Sequence, residues 1–198
     1  MSPVSKWVPL SLWLGGKKPP ACLGCPYAYR DDPFVPGFGE LSAKHIIIAE
    51  KPGACESGTC KCAPNAHPTL QPLIGPSGKK LDMALGGDRG DCFLTNVRKC
   101  NVVDSDKKVK AQSIQHCVAA YLQPELDAIA VRQAAEGVKE SVITAIGGDA
   151  ARVVFGRGGM DSLHGTFWTR AEVESMVQEA EKVGIDFDEE EEAGEAGE

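Results

Sequence analysis

Four cysteines, Cys22, Cys25, Cys100 and Cys117, are the residues of this chain best placed to share one chemical task. Cys22 and Cys25 form a C-x-x-C pair in a loop rich in proline (Pro19, Pro20, Pro26), while Cys100 follows a predicted strand and Cys117 falls inside a predicted helix. Thiolate sulfur is a soft ligand, and a four-cysteine set suits either zinc or an iron–sulfur cluster. Spacing does not separate the two metals, and free cysteines packing as small core hydrophobes are the plain alternative. A second thiol-rich stretch, Cys55, Cys60, Cys62 and His67, has the composition of a zinc site, but its C-x4-C-x-C-x4-H spacing matches no common zinc module. Cys92, inside a predicted strand, reads as core packing.

The elements that must position these groups alternate along the chain. His45 to Ala49 is a β-branched apolar run that ends in Glu50-Lys51-Pro52-Gly53, a buried strand entering a sharp turn. Pro76 to Leu85 reads as a helix, with proline at its first position and Gly86-Gly87 as its stop. Cys92 to Val97 is a second strand, and Ile114, Val118, Tyr121 and Leu122 recur at helical spacing with Cys117 on the same face. Ser141 to Ile146 is a third strand, followed by Gly147-Gly148 and a helix over 149–155. Apolar strands alternating with helices imply an α/β fold, a three-layer α/β/α sandwich with a short parallel sheet. In such a sheet ligands bind beyond the carboxyl ends of the strands. Glu50 ends the first strand and Asn96 the second, so a carboxylate and a carboxamide should face one crevice. The loop from Pro52 to Pro76 is long enough to be a binding loop or lid.

With 198 residues, 42% hydrophobic and 25% charged, the chain can bury one good core but not two full domains. The expected organisation is an N-terminal arm over 1–20, one domain over 21–168, and a C-terminal helix with an acidic tail over 169–198. Thr169 and Glu172 give that helix a capping-box start. The net charge of −7 is unevenly placed: ten acidic groups and one base lie within residues 179–198, leaving 18 acidic against 20 basic groups in residues 1–178. A slightly basic body with a solvated acidic tail fits a nucleic-acid binder, although a small positive charge is common elsewhere. No apolar run reaches the roughly 18 residues of a membrane span, and the N-terminal apolar segment is broken by Pro9 and Gly15 without a cleavage signal. A cytoplasmic location and no membrane partner are therefore expected. In that reducing compartment metal binding is favoured over a disulfide framework.

Taken together, five ordered segments resemble the uracil-DNA glycosylase superfamily, most closely its iron–sulfur-containing family 4 branch. The family's C-x-x-C is matched by Cys22 and Cys25. Its G-E-A-P-G followed by another Glu is matched by Ala49-Glu50-Lys51-Pro52-Gly53 with Glu56. Its P-F-V-G-x-x-G-x-x-L-D is matched by the segment from Pro72 to Asp82, and its T-N-x-x-K-C by Thr95 to Cys100. Its next cluster ligand corresponds to Cys117. The resemblance runs from about Ala21 to Trp168. It implies a [4Fe-4S] cluster on Cys22, Cys25, Cys100 and Cys117, with zinc as the alternative. It also implies excision of uracil from DNA by a protein acting as a monomer, with the base flipped out of the stack because its reacting atoms are inaccessible within it. Asn96 would pair with the amide edge of uracil, and Glu50 or Glu56 would orient water or stabilise the cation-like sugar. Lys51, Pro52, Gly53 and Leu73 would line the base pocket, and Gly75, Ser77 and Gly78 would offer N–H groups to a DNA phosphate.

This chain departs from the pattern in three places. Leu73 stands where the family stacks an aromatic ring on the base. An insertion over 57–71 carries Cys60, Cys62 and His67. The family's second active-site motif, H-P and a small residue on a final strand, has no match, because after the segment Leu163 to Trp168 the sequence turns acidic and His164 lies too early to replace it. Three functions follow as expectations: a glycosylase of reduced rate, a non-catalytic iron–sulfur DNA-binding or repair-accessory protein, and one part of a split glycosylase. The segment from Gly75 to Lys80 lacks the spacing of a nucleotide P-loop, and Lys107, Lys108 and Lys110 read as a solvated basic stretch with phosphate contact as the sharper alternative.

Overall fold

The computed structural model describes residues 17–60, 70–103 and 106–156. Among the described residues there are four strands and four α-helices: β1 (Phe38–Gly39), β2 (His45–Ala49), α1 (Pro76–Ala84), β3 (Cys92–Asn96), α2 (Lys107–Cys117), α3 (Gln123–Glu136), β4 (Val142–Ile146) and α4 (Gly148–Phe155). A 3-10 turn, Pro20–Gly24, carries the first cysteine, and a π turn, Val118–Leu122, joins α2 to α3. The strand order is β1-β3-β2-β4. β2 is parallel to both β3 and β4, and the two-residue β1 closes the β3 edge antiparallel. The expected parallel sheet is thus three strands with an added antiparallel edge. β1, at two residues, is too short for any periodicity to reveal.

The register fixes where chemistry can gather. Ala49 is paired with Asn96 on one side and Ile146 on the other, so the three parallel strands end in line. Alternation sends neighbouring side chains to opposite faces. Ile46, Ile48 and Phe93 pack with Leu122, Ile129 and Ala150, which brings α2, α3 and α4 against one face. Ile47, Ala49 and Leu94 pack with Leu73, Leu81 and Leu85, which brings α1 against the other. Burial on both faces makes the three-layer sandwich. Each large apolar side chain buried here contributes on the order of 1.5–3 kcal/mol.

Local chemistry explains the helix ends. Pro76 opens α1, and the left-handed Gly86 and Gly87 stop the chain after it. Asp106 caps α2 by accepting the N–H groups of Lys108 (2.8 Å) and Val109 (3.1 Å). The π turn has a cause in the sequence: Pro124, in the first turn of α3, has no N–H to give and its ring crowds the carbonyl four residues back. The backbone widens ahead of it, and the Gln123 N–H reaches Val118 O instead. The expected helix around Cys117 is therefore longer than its apolar spacing reveals and carries a π turn within it. The capping box at Thr169, the acidic tail, the segment Leu163 to Trp168 and the N-terminal apolar segment lie outside the described residues. Among those described, no helix is long and apolar enough to cross a membrane.

Candidate functional site

The carboxyl edge of the sheet collects Asn96 from β3, Glu50 from the end of β2, and Glu56 from the turn that follows. Asn96 is 1% exposed, and its Nδ2 has no hydrogen-bond partner. Glu56 is 4% exposed; its Oε1 accepts the N–H groups of Ile74 (3.1 Å) and Gly75 (3.4 Å), while its Oε2 has no partner. A buried polar atom without a partner costs about 1–3 kcal/mol, so two on one edge mark a place built to receive another molecule's polar atoms. Glu56 is held by a tight turn in which Ser57 N–H donates to Gly53 O (3.1 Å). A Cβ on Gly53 would stand 2.6 Å from Glu56 Oε2, so that approach requires glycine.

Glu50 is placed differently. Its Oε1 accepts the N–H of Asp149 (3.0 Å) at the start of α4, where a carboxylate complements the helix dipole. Gly147, at φ 98°, lies against that carboxylate, and a Cβ there would come within 2.6 Å of it. The two carboxylates read from the sequence are thus unlike: one is engaged with a helix terminus, the other has an open oxygen.

The remaining residues read from the sequence take distinct positions. Lys51 reaches across the crevice to donate to Val102 O (2.7 Å), and Pro52 is fully buried. Leu73 is buried among Ile47, Ala49 and Leu94, in the left-handed region at φ 57°. A non-glycine residue held there is strained, a feature that clusters at ligand sites. Gly78 packs directly on the Leu73 carbonyl, 1.7 Å from where a Cβ would be, so its lack of a side chain serves helix-to-loop packing. The Gly75 N–H is directed at Glu56, and Ser77 is exposed.

Two polar groups escaped the sequence reading. Asp149, buried, faces Lys110 (2.9 Å), Arg98 (3.7 Å) and Arg152 (3.7 Å), so Lys110 is part of an ion cluster rather than a solvated stretch. Lys99, 1% exposed, donates to Glu125 Oε2 (2.7 Å) and Thr95 Oγ1 (2.6 Å), and Glu125 Oε1 in turn accepts the Gly37 N–H (3.0 Å). Lys99 stands in the quoted T-N-x-x-K-C segment, yet its partner lies 26 residues away, where no local pattern points.

The four leading cysteines gather at the neighbouring corner. Cys22, Cys100 and Cys117 are buried and Cys25 is half-buried. Burial pushes the Cys100 thiol up to about 12, with the Cys117 sulfur adding to the rise. Burial likewise raises Cys117 to about 11, against the lowering effect of a hydrogen bond from the Lys99 backbone. Cys22 is raised by burial and lowered in part by Tyr121, whose hydroxyl lies 3.0 Å from its sulfur. The Tyr121 hydroxyl is itself raised, by burial first and then by Cys22. Cys25, which accepts the Tyr27 N–H at 3.4 Å, influences the other three sulfurs through its charge, so all four share one electrostatic neighbourhood. Among the described residues, no three His, Cys, Asp or Glu side chains are grouped so as to hold a single metal ion. Of the second thiol-rich stretch, Cys60 is disulfide-bonded, and Cys62 and His67 lie outside the described residues. Cys92 is buried in the core beside Leu94, as its place in a strand suggests.

A family model described as the uracil DNA glycosylase superfamily matches residues 36–184. The type-4 uracil-DNA glycosylase of Pyrobaculum aerophilum is 32% identical over 106 residues, 52% of this chain and 48% of that protein. The type-4 uracil-DNA glycosylase of Archaeoglobus fulgidus is 26% identical over 167 residues, 83% of this chain and 71% of that protein. The chain thus spans about half the length of the first relative and somewhat over two thirds of the second. With a match across most of its length and an α/β/α sandwich whose polar groups meet at the sheet's carboxyl edge, this chain belongs to the uracil DNA glycosylase superfamily.

Proposed function

We propose that this chain is a DNA repair glycosylase that hydrolyses the N-glycosidic bond of uracil in DNA. The observation that carries the reading is the pair of buried, unpartnered polar atoms, Asn96 Nδ2 and Glu56 Oε2, at one sheet edge. Uracil presents an amide edge that a carboxamide can meet with one donor and one acceptor. As the bond from C1′ to the base breaks, the sugar becomes cation-like and negative charge grows on the base. Asn96 donates to the base, and Glu56 faces the sugar or orients the water whose oxygen bonds to C1′; the water keeps one proton as the C1′ hydroxyl of the abasic sugar, and its other proton neutralises the departing uracil anion. Lys51, Pro52, Gly53 and Leu73 border the base, Glu50 supports the edge through α4, and the exposed Ser77 offers the DNA backbone the start of α1, whereas Gly75 and Gly78, buried against Glu56 and the Leu73 carbonyl, serve packing there. With no match to the family's second motif, one donor to the departing base is missing, and the loss of one such donor commonly costs about 100- to 1000-fold.

The cysteine corner suits a [4Fe-4S] cluster on Cys22, Cys25, Cys100 and Cys117. Three buried sulfurs and one half-buried one share a neighbourhood, three of them have hydrogen-bond partners, and burial that disfavours free thiolates on Cys22, Cys100 and Cys117 makes a bound metal the natural counter-charge for them. Zinc would be held by the same four sulfurs at about 2.3 Å each, and metal and sulfide analysis of the purified protein separates it from the cluster. When bound, the cluster cross-links distant parts of the chain and adds binding energy to folding. Six free thiols beside one disulfide-bonded cysteine among the described residues fit a cytoplasmic protein, and action as a monomer is proposed from the family resemblance.

A second reading keeps fold and cluster without hydrolysis; it is favoured by the engagement of Glu50 with the Asp149 N–H, which makes it part of the framework. Incubation with single- and double-stranded oligonucleotides containing uracil separates the two. The glycosylase reading expects alkali-labile abasic sites, faster in single strands where flipping costs least. Salt-sensitive DNA binding with no abasic product establishes the accessory reading instead.

A further inference from the structure

We infer that Tyr121 is a positioning residue for the iron–sulfur cluster, setting its electron affinity through a hydrogen bond from the phenol to the Cys22 sulfur. The inference rests on the cluster reading above. Tyr121 lies on the π turn Val118–Leu122, and its oxygen is 3.0 Å from Cys22 Sγ, a residue 99 positions earlier. A thiolate has no proton, so when Cys22 is a ligand the phenol must be the donor. The other contacts to these sulfurs are of a different kind: Cys25 and Cys117 receive backbone N–H groups of Tyr27 and Lys99, which no side-chain substitution removes.

Three features hold the phenol in place. Pro124 imposes the wide turn immediately before α3, and π turns of this kind are often found at functional sites. The Phe34 ring meets Tyr121 edge to face, with centroids 4.8 Å apart at 64°, which fixes the ring plane independently of the hydroxyl. The half-buried setting strengthens the bond relative to one in water. A donor to a ligand sulfur draws off electron density and stabilises the more negative, reduced level, one of the ways a protein tunes cluster potential.

The test is the midpoint potential of purified holoprotein, followed by the absorption near 400 nm, for wild type, Tyr121→Phe and Phe34→Leu. Tyr121→Phe keeps the ring contact and loses only the hydroxyl, so it should retain iron and sulfide while its midpoint falls by about 59 mV, a tenfold change in the one-electron equilibrium. Phe34→Leu, which removes the ring that fixes the phenol's plane, should lower thermal stability and move the midpoint in the same direction by a smaller amount. If Tyr121→Phe does not hold its cluster, wild type grown with fluorotyrosine gives a direct reading: its stronger O–H donor should raise the midpoint. An unchanged midpoint in Tyr121→Phe, or in the fluorotyrosine protein, overturns the inference. A colourless protein carrying zinc overturns it together with the cluster reading, and the absence of sulfide identifies that case.

Discussion

The pocket edge and the cysteine corner are built by the same strand, yet they treat their polar atoms in opposite ways. At the edge, Asn96 and Glu56 are buried with hydrogen-bonding capacity left open. At the corner, a few residues along, Lys99 is buried with its ammonium matched by Glu125 and Thr95, and three of the four sulfurs have hydrogen-bond partners. Open capacity in a close-packed interior is retained where a ligand completes it, whereas matched capacity holds the frame rigid. β3 ends at Asn96 and runs on directly into Lys99 and Cys100, so one stretch of chain supplies both the open amide and the frame beside the cysteines.

Substitutions that break the corner should have the largest effect. On the cluster reading Cys117→Ala removes one of the proposed ligands, and because metal binding is coupled to folding the domain should lose its cooperative thermal transition along with its iron. Next is the buried ion pair: Lys99→Met leaves Glu125 charged and unpaired, which should cost about 3–5 kcal/mol in denaturant unfolding, with recovery when Glu125→Gln is added. Smallest is Glu50→Gln, which keeps an acceptor for the Asp149 N–H but loses its charge at the α4 terminus; stability should fall by about 0.3–1 kcal/mol. A loss of uracil release in Glu50→Gln as large as in Glu56→Gln would erase the distinction between the two carboxylates.

How legible this was in the sequence differed with the range of the interaction. The β-branched run of β2, the proline start of α1 and the paired glycines after it are local signals and mark elements the structure contains. The convergence of Cys22 and Cys25 with Cys100 and Cys117 followed from motif order. What escaped depended on contacts across the fold: Glu125 meeting Lys99, Asp149 gathering cations, and the loop closure that leaves Glu56 open while Glu50 is engaged. Leu73 reads from the sequence as an apolar pocket wall; its left-handed backbone and the close approach of Gly78 to its carbonyl are conveyed by no spacing rule. The π turn needed both Pro124 and knowledge that the helix runs through it.

The central claim, that the open atoms at the sheet edge bind and release uracil, is tested most directly by comparing wild type with Asn96→Ala at equal iron content on a single-stranded uracil oligonucleotide. The account predicts slow but measurable release by wild type and a fall of about 100-fold or more in the variant, with absorption near 400 nm unchanged because Asn96 is not among the cysteines of the corner. Equal release by the two proteins, or none from a wild type that still carries its cluster, would contradict it.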